Sequence, residues 1–509
     1  MKTRTRIEFG DFQTPPALAR AVCGLLVQQG IAPDAVVEPT CGAGAFLVAA
    51  AGAFPNARLL GWDINPDHVQ RAKSALAQVH ALERASVVPG DFFTHNWEAE
   101  LSEIAGDVLV LGNLPWVTNA VVSGMNGTNL PAKENFLGLR GMDARTGKSN
   151  FDISEWMLIC LVKALRRRRA TIAMLCKTAT ARKVLRFAWQ NDGRIARACL
   201  RRVDAKQHFG ASVDACLLLA RTGEAGPTEA DVFDRLGAPH PSTTLALAGQ
   251  DLVSDVSTYR RLKHREGLCP YQWRSGLKHD CASVMELTRE SHGGLRNKLG
   301  EEVHLEPDYL FPLLKCSDLA HGRLDPKRFV IVPQRRVGED TAPIRFQAPR
   351  TWQYLDAHRR HFEARKSSIY SSRIPFAVFG VGDYSFAPWK VAVSGLHWPP
   401  RFALVPPVDG KPVLFDDTCY FIPFDLENEA SVVVRILNSP QCLEFLACLT
   451  FADAKRPITV ELLQRLNLQA LAKDAGLADE WEAFRSRPMR CPEQRILTQP
   501  ELVMEPRGE

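Results

Sequence analysis

The most specific chemistry in this chain belongs to four consecutive residues, Asn113-Leu114-Pro115-Trp116. Asn113 offers a side-chain carbonyl as acceptor, and Pro115 biases Leu114 toward an extended backbone whose carbonyl points outward. Trp116 adds a large flat face. Two acceptors beside an aromatic plate suit a planar amino group. A nucleobase with an exocyclic amine fits that description, and an enzyme acting on such a base must first take it out of the helix stack. Turn chemistry alone also produces Asn-x-Pro sequences, so the tetrad gains meaning only from the elements that position it.

Residues 108–111 read as a strand buried on both faces, because four consecutive apolar residues between Asp107 and Gly112 leave no polar side. Asn113 therefore stands at a carboxyl end, where open parallel sheets bind ligands. Upstream, residues 9–16 form a loop whose prolines start a helix over 18–29. Residues 35–47 then give a short strand, a turn containing Gly42 and Gly44, and a helix. Such glycines let the backbone approach a ligand closely. The third glycine of a dinucleotide fingerprint is missing, and Glu38 places a carboxylate where a pyrophosphate would be repelled. The turn thus points away from NAD and toward a ligand with a cationic or amino-bearing group. A second strand ends in Asp63, about twenty residues after the glycines, the separation expected for a carboxylate on ribose hydroxyls. A third delivers Asp91 and Phe92, an acceptor beside a hydrophobe able to grip an adenine ring. Any one such acid is more often a helix cap than a ligand. Three acids ending three successive strands, followed by the tetrad, are much harder to dismiss.

The 509 residues, 46% of them hydrophobic, predict a globular chain of two to four domains. The opening residues have no signal-peptide core, and no run reaches the roughly 18 apolar residues of a membrane span, so the expected location is cytoplasmic. Thirteen cysteines without paired spacing suggest neither a disulfide frame nor a metal site. Up to position 225, Lys and Arg outnumber Asp and Glu by 27 to 20, and residues 325–375 carry 11 basic against 5 acidic side chains. A basic stripe in an otherwise balanced half suits a polyanion-binding face, and equally a solvated surface.

Taken in order, Phe12-Gln-Thr14-Pro, Glu38-Pro-Thr-Cys-Gly-Ala-Gly, Gly61-Trp-Asp63, Gly90-Asp91-Phe92 and Asn113-Leu-Pro-Trp116 resemble the motifs of the gamma-class N6-adenine DNA methyltransferases of restriction-modification systems. The resemblance covers roughly residues 9–220. It implies an α/β fold, a Rossmann-like seven-stranded methyltransferase sheet with a C-terminal α+β target-recognition domain. It also implies S-adenosyl-L-methionine as cofactor and duplex DNA as substrate. By position, Thr14 and Glu38, with the turn at Gly42 and Gly44, would hold the methionine end; Asp63 would hold the ribose, and Asp91 and Phe92 the adenine. Asn113 and the Leu114 carbonyl would accept from the target amine while Trp116 stacks on the base. This sequence departs from the family at Leu114, commonly proline, and at Trp116, commonly tyrosine or phenylalanine. A backbone carbonyl survives the first change, and a larger plate survives the second.

The expected domains are a catalytic one over 1–225, a linker or crossover over 226–255 and a target-recognition domain over 256–509. Residues 117–150 lack periodicity and form a long loop after the tetrad, of a length that is usually functional. A helix begins near Asp152, residues 170–176 form another buried strand, and Arg166 to Arg169 cap the intervening helix in solvent, with phosphate contact as the alternative. Residues 209–219 read as a final strand, and the family places an aromatic facing the base here, for which Phe209 is the candidate. In the second half, aromatics interleave with basic residues over 271–280 and 365–370. Strands are expected over 376–384, 389–394 and 413–421, and helices over 429–437 and 440–449. The chain begins almost at its cofactor motifs, which predicts that any partner restriction endonuclease is a separate polypeptide. The same acceptor pair also fits an RNA adenine or a protein glutamine, and cytosine N4 is chemically close; Asn rather than Ser at position 113 favours adenine only through the family. A non-catalytic DNA-binding protein on a degenerate fold is the rival from another class, opposed by the intact acids at 38, 63 and 91.

Overall fold

The computed structural model describes residues 13–116, 152–291, 293–371 and 374–485. The expected loop over 117–150 and the first residues of the Phe12 motif lie outside them. The chain forms two compact units, one comprising Met1–Leu262 with Leu446–Lys455, the other Lys263–Phe445 with Arg456–Glu509.

The first unit is built on one sheet. Its strands are β1 (Ala35–Glu38), β2 (Arg58–Asp63), β3 (Ala85–Pro89), β4 (Val108–Asn113), β5 (Ala170–Lys177), β6 (Ile195–Val203) and β7 (Ala215–Thr222). Three more follow, β8 (Glu229–Phe233), β9 (Thr243–Ala248) and β10 (Asp251–Val253), and the spatial order is β10-β9-β8-β6-β7-β5-β4-β1-β2-β3. β3, β2, β1, β4 and β5 run parallel, and β7 is antiparallel to both β5 and β6. The helices are α1 (Pro16–Gln28), α2 (Ala45–Ala53), α3 (Pro66–Gln78), α4 (Trp97–Glu103), α5 (Ile153–Leu165), α6 (Thr178–Gln190), α7 (Ala205–Phe209) and α8 (Val256–Leu262). Two apolar cores share the sheet: Val36, Leu109 and Leu111 join one, while Val37, Val108 and Val110 join the other. Alternate side chains thus point to opposite faces, both buried, which is why β4 reads as an unbroken apolar run.

Several expectations need correction. The segment over 226–255 is not a linker, because β8 pairs parallel to β6 and antiparallel to β9, so a sheet expected to have seven strands has ten. Its strands are short and bear polar faces, and the Gly- and Pro-containing connection between β8 and β9 dominated the composition. The unit also takes back Leu446–Lys455: Arg182, 7% exposed, forms a two-pronged bond to Asp453 at 2.9 and 2.8 Å and lies over the Phe451 ring. Phe209 belongs to no strand. Asp204 caps α7 by accepting from the Gln207 N–H, Gly210 closes it at φ 67°, and β7 starts only at Ala215. Arg168 turns back from solvent to donate to the carbonyls of Ser102, Ile104 and Gly106.

The second unit holds two sheets of its own. One contains β11 (Arg274–Ser275), β17 (Trp389–Ser394), β18 (Ala403–Val405) and β20 (Cys419–Phe424), ordered β11-β20-β17-β18. The other contains β12 (Glu286–Arg289), β13 (Leu295–Asn297), β14 (Glu302–Val303), β15 (Leu310–Leu314), β16 (Arg328–Ile331) and β19 (Leu414–Phe415). Helices over Glu427–Leu437 and Pro440–Leu449 form where the periodicity places them. The strand expected over 376–384 reduces to a bridge between Phe379 and Lys278, because Phe376 and Gly380 adopt positive φ and Asp383–Phe386 winds into a short helical turn. Among the described residues no single helix is long and apolar enough to cross a membrane.

Candidate active site

The carboxyl ends of four adjacent parallel strands, β4, β1, β2 and β3, bring together what the sequence spreads between positions 38 and 113: Asn113, Glu38, Asp63 and, just past β3, Asp91. A Cβ built on Gly112 would lie 3.4 Å from Glu38 Cγ, so the stem of Glu38 runs beside the residue that precedes Asn113.

The turn between β1 and α2 is shaped by two left-handed glycines, Gly42 at φ 52° and Gly44 at φ 84°. Asp63 holds it from the neighbouring strand: Oδ2 accepts from the Gly42 N–H at 2.8 Å and Oδ1 from the Asn65 N–H at 2.9 Å, with His68 Nδ1 3.4 Å away. Oδ2 retains a second lone pair, so Asp63 organises the turn and keeps acceptor capacity. Gln13 closes over the same turn, its Oε1 accepting from the Ala43 N–H at 3.0 Å, and a Cβ on Gly42 would strike it at 2.6 Å. That contact carries Thr14, 9% exposed, to the glycine turn.

Glu38 is 3% exposed, and among the described residues its Oε2 has no hydrogen-bond partner. Burial, reinforced by the negative charge of Asp63 and only partly opposed by the Leu47 backbone N–H, holds its carboxyl well above the usual carboxylate range. A buried, unpartnered carboxylate oxygen is costly unless a donor or a cation meets it. Thr40 Oγ1, on the same turn, is likewise buried without a partner.

Asp91 Oδ1 accepts from the Phe93 N–H at 2.9 Å, so one of its oxygens caps a turn. Phe92 is 5% exposed within an aromatic cluster, its ring 4.9 Å from Trp97 and 6.2 Å from both Phe93 and Trp156.

Past Asn113, the Leu114 side chain is 1% exposed and anchored in the core with Ile153 and Met157, which leaves only its backbone to act. Pro115 and Trp116 are half-buried. Trp116 meets Phe209 edge to face, with ring centroids 5.1 Å apart, so the two aromatics from opposite halves of the unit's chain do converge. Two residues without an assigned role stand behind them: Lys177 Nζ donates to the Trp116 carbonyl at 3.0 Å and to Asp152 Oδ2 at 2.5 Å. Gln13 was legible as part of a motif. Asp152 was legible as the start of a helix, whereas its contact with Lys177 carried no signal, because it spans a separation that no local pattern records.

No family model matches the chain. The type II methyltransferase M.NspV of Nostoc sp. is 41% identical over 474 residues, 92% of this chain and 98% of that protein. The chain belongs to the type II DNA methyltransferases of restriction-modification systems. A second type II methyltransferase, M.XamI of Xanthomonas campestris pv. amaranthicola, is 32% identical over 108 residues, 21% of this chain and 20% of that protein. The methyltransferase also shares its fold with the type IIL restriction-modification enzyme MmeI, solved in complex with DNA. That likeness has a TM-score of 0.56 at 12% identity and covers 93% of this chain and 68% of that one.

Proposed function

We propose that this methyltransferase transfers the methyl group of S-adenosyl-L-methionine to the N6 amine of a flipped adenine in duplex DNA. The observation that carries the reading is the juxtaposition of Glu38 and Asn113 at neighbouring strand ends, one with an unpartnered buried oxygen, the other beside an aromatic pair. The cofactor supplies an activated methyl on a sulfonium. Glu38 would accept from its ammonium, Thr14 and the Gly42–Gly44 turn would enclose the methionine end, Asp63 would hold the ribose, and Asp91 with Phe92 would hold the adenine. The Glu38 oxygen, without a partner among the described residues, and the open second lone pair of Asp63 Oδ2 fit such a group.

At the target, the amine's lone pair is delocalised into the ring, which makes it a poor nucleophile. Accepting its two hydrogens at Asn113 and at the Leu114 carbonyl favours the tetrahedral, charge-gaining nitrogen of the transition state over the planar ground state. No dedicated base is required, since the methylated nitrogen is acidic enough to lose its proton to solvent or to a nearby acceptor. Trp116, with Phe209, would stack the base, and proximity supplies much of the remaining rate.

The second unit, with the arginines and lysines of residues 325–375, would read the DNA sequence; its position in the chain, its size and the DNA-bound state of MmeI support this assignment. The cytoplasm would be the site of action. The test is transfer of tritiated methyl to plasmid DNA, followed by digestion to nucleosides. N6-methyldeoxyadenosine is the expected product, lost in Asn113→Ala. Label appearing in N4-methylcytosine, in RNA or in protein, or an Asn113→Ala variant as fast as the parent, would overturn the reading.

A further inference from the structure

Lys177 ends β5 two residues beyond Leu175, which pairs with Asn113 across the sheet. Alternation along a strand sets Leu175 and Lys177 on one face, so the lysine stands level with the turn that follows Asn113. Its ammonium, with the side chain 23% exposed, has two partners: the Trp116 carbonyl at 3.0 Å and Asp152 Oδ2 at 2.5 Å. Asp152 is 8% exposed, and its Oδ1 accepts from the Ser154 N–H at 3.1 Å and the Ser154 hydroxyl at 2.5 Å, capping α5. One cation therefore joins the end of β5, the start of α5 and the main chain of the plate residue.

Fold stability alone gives little reason to keep such a pair, because replacing a largely buried ion pair by apolar side chains of similar volume is often neutral or stabilising. What an apolar side chain cannot supply is a donor aimed at the carbonyl of Trp116. That bond fixes the peptide on which the indole is carried, and the Leu114 carbonyl lies only two residues earlier.

We propose that Lys177 is a positioning residue for methyl transfer, anchored by Asp152: it sets the tilt of the Trp116 plate and the aim of the Leu114 carbonyl. The inference rests on the assignment of residues 113–116 as the target-base pocket. Lys177 touches neither base nor methyl donor; it acts through the turn.

The test compares full-length Lys177→Met, Lys177→Arg and Asp152→Asn with the parent in single-turnover methylation of unmodified plasmid DNA. Binding of S-adenosyl-L-methionine, half-saturating DNA and thermal melting are measured in parallel. Displacing a catalytic turn by a fraction of an ångström predicts a loss of about ten- to a hundredfold in the Lys177→Met transfer rate, with both binding constants within about threefold. Lys177→Arg, which keeps a donor, recovers to within about fivefold, and Asp152→Asn loses about tenfold. A Lys177→Met rate within about twofold of the parent overturns the inference, as does a failure of Lys177→Arg to rescue at equal melting temperature. A parent that puts no methyl on DNA, or whose rate survives Asn113→Ala, removes the pocket reading and this inference with it. An Asn113-dependent parent with an indifferent Lys177 removes only the latter.

Discussion

Trp116 and Phe209 stand edge to face, with ring centroids 5.1 Å apart and planes at 64°. A base sandwiched between two parallel plates needs roughly 7 Å, twice the optimal carbon–carbon separation, so the pair as it stands is closed to a base. Phe209 is the mobile partner on physical grounds: it ends a five-residue helix between Asp204 and Gly210, whereas the Trp116 main chain is held by Lys177.

Phe209→Ala therefore removes one face of the pocket without touching the acceptors. We expect kcat/KM for DNA to fall about ten- to a hundredfold, the worth of one stacking contact of about 1–3 kcal/mol, while cofactor affinity stays within about twofold. Steady-state methylation of plasmid DNA checks this, and an unchanged kcat/KM would take Phe209 out of the pocket.

Glu38 gives a pH dependence with a definite sign. Its carboxyl binds a proton more tightly in the folded protein than at the ordinary value of 4.5. The stability it contributes to the free protein is therefore complete below pH 4.5 and declines as pH rises toward the elevated folded value. A cationic ligand needs the charged form, so cofactor binding should release a proton wherever the free group is still protonated, and affinity should climb with pH until the free group ionises. Calorimetry in buffers of different ionisation enthalpy measures that proton. Glu38→Gln should bind with no proton release and at least about tenfold more weakly; identical proton counts for the two proteins would contradict the assignment.

How much of this was legible varied with the residue. Asn113, Glu38 and Asp63 could be placed because each ends a short apolar run, and a strand buried on both faces leaves no other place for a polar side chain than its end; Asp91 follows the half-exposed edge strand β3 and was placed by its succession after the other two acids. β6 escaped detection because it carries Arg197, Arg201 and Arg202, which read as exposed. In the fold Arg201 is 6% exposed, satisfied by the carbonyls of Leu236 and Ala238 at 2.9 and 3.0 Å and stacked on Phe233 at 3.7 Å. The return of Leu446–Lys455 to the first unit rests on Arg182 and Asp453, 271 residues apart, a separation no local pattern can encode.

Gly44 tests the shape of the glycine turn and its proposed role in holding the cofactor. It holds φ 84° at the start of α2, and a Cβ there would lie 2.9 Å from Ala72 Cβ and 3.0 Å from Ala72 Cα, a backbone contact that cannot swing away. Left-handed strain and the clash together should cost about 2–4 kcal/mol in Gly44→Ala. Melting should drop by about 5–10 °C for a unit of this size, and cofactor affinity should fall because α2 must back away from α3. A variant melting within about 1 °C of the parent would show that the turn relaxes freely.

Lys390 makes the second unit's stability depend on pH in the opposite sense to Glu38. It lies in the middle strands of a small sheet, 1% exposed, donating to the Ala387 carbonyl at 2.6 Å with the Phe421 ring nearby. Burial pushes its ammonium down from 10.5 to about 7. The folded chain thus prefers the neutral amine, and the associated stability, present above pH 10.5, is lost as pH falls and is fully gone below about 7. The gap corresponds to a desolvation penalty on the order of 5 kcal/mol. Lys390→Met should accordingly raise the melting temperature at pH 6 to 7, by an amount worth on the order of 2 kcal/mol after its own packing cost, and the advantage should shrink steadily toward pH 10. Paired melting curves across that range measure it, and a pH-independent difference would mean that Lys390 keeps its proton in the folded state.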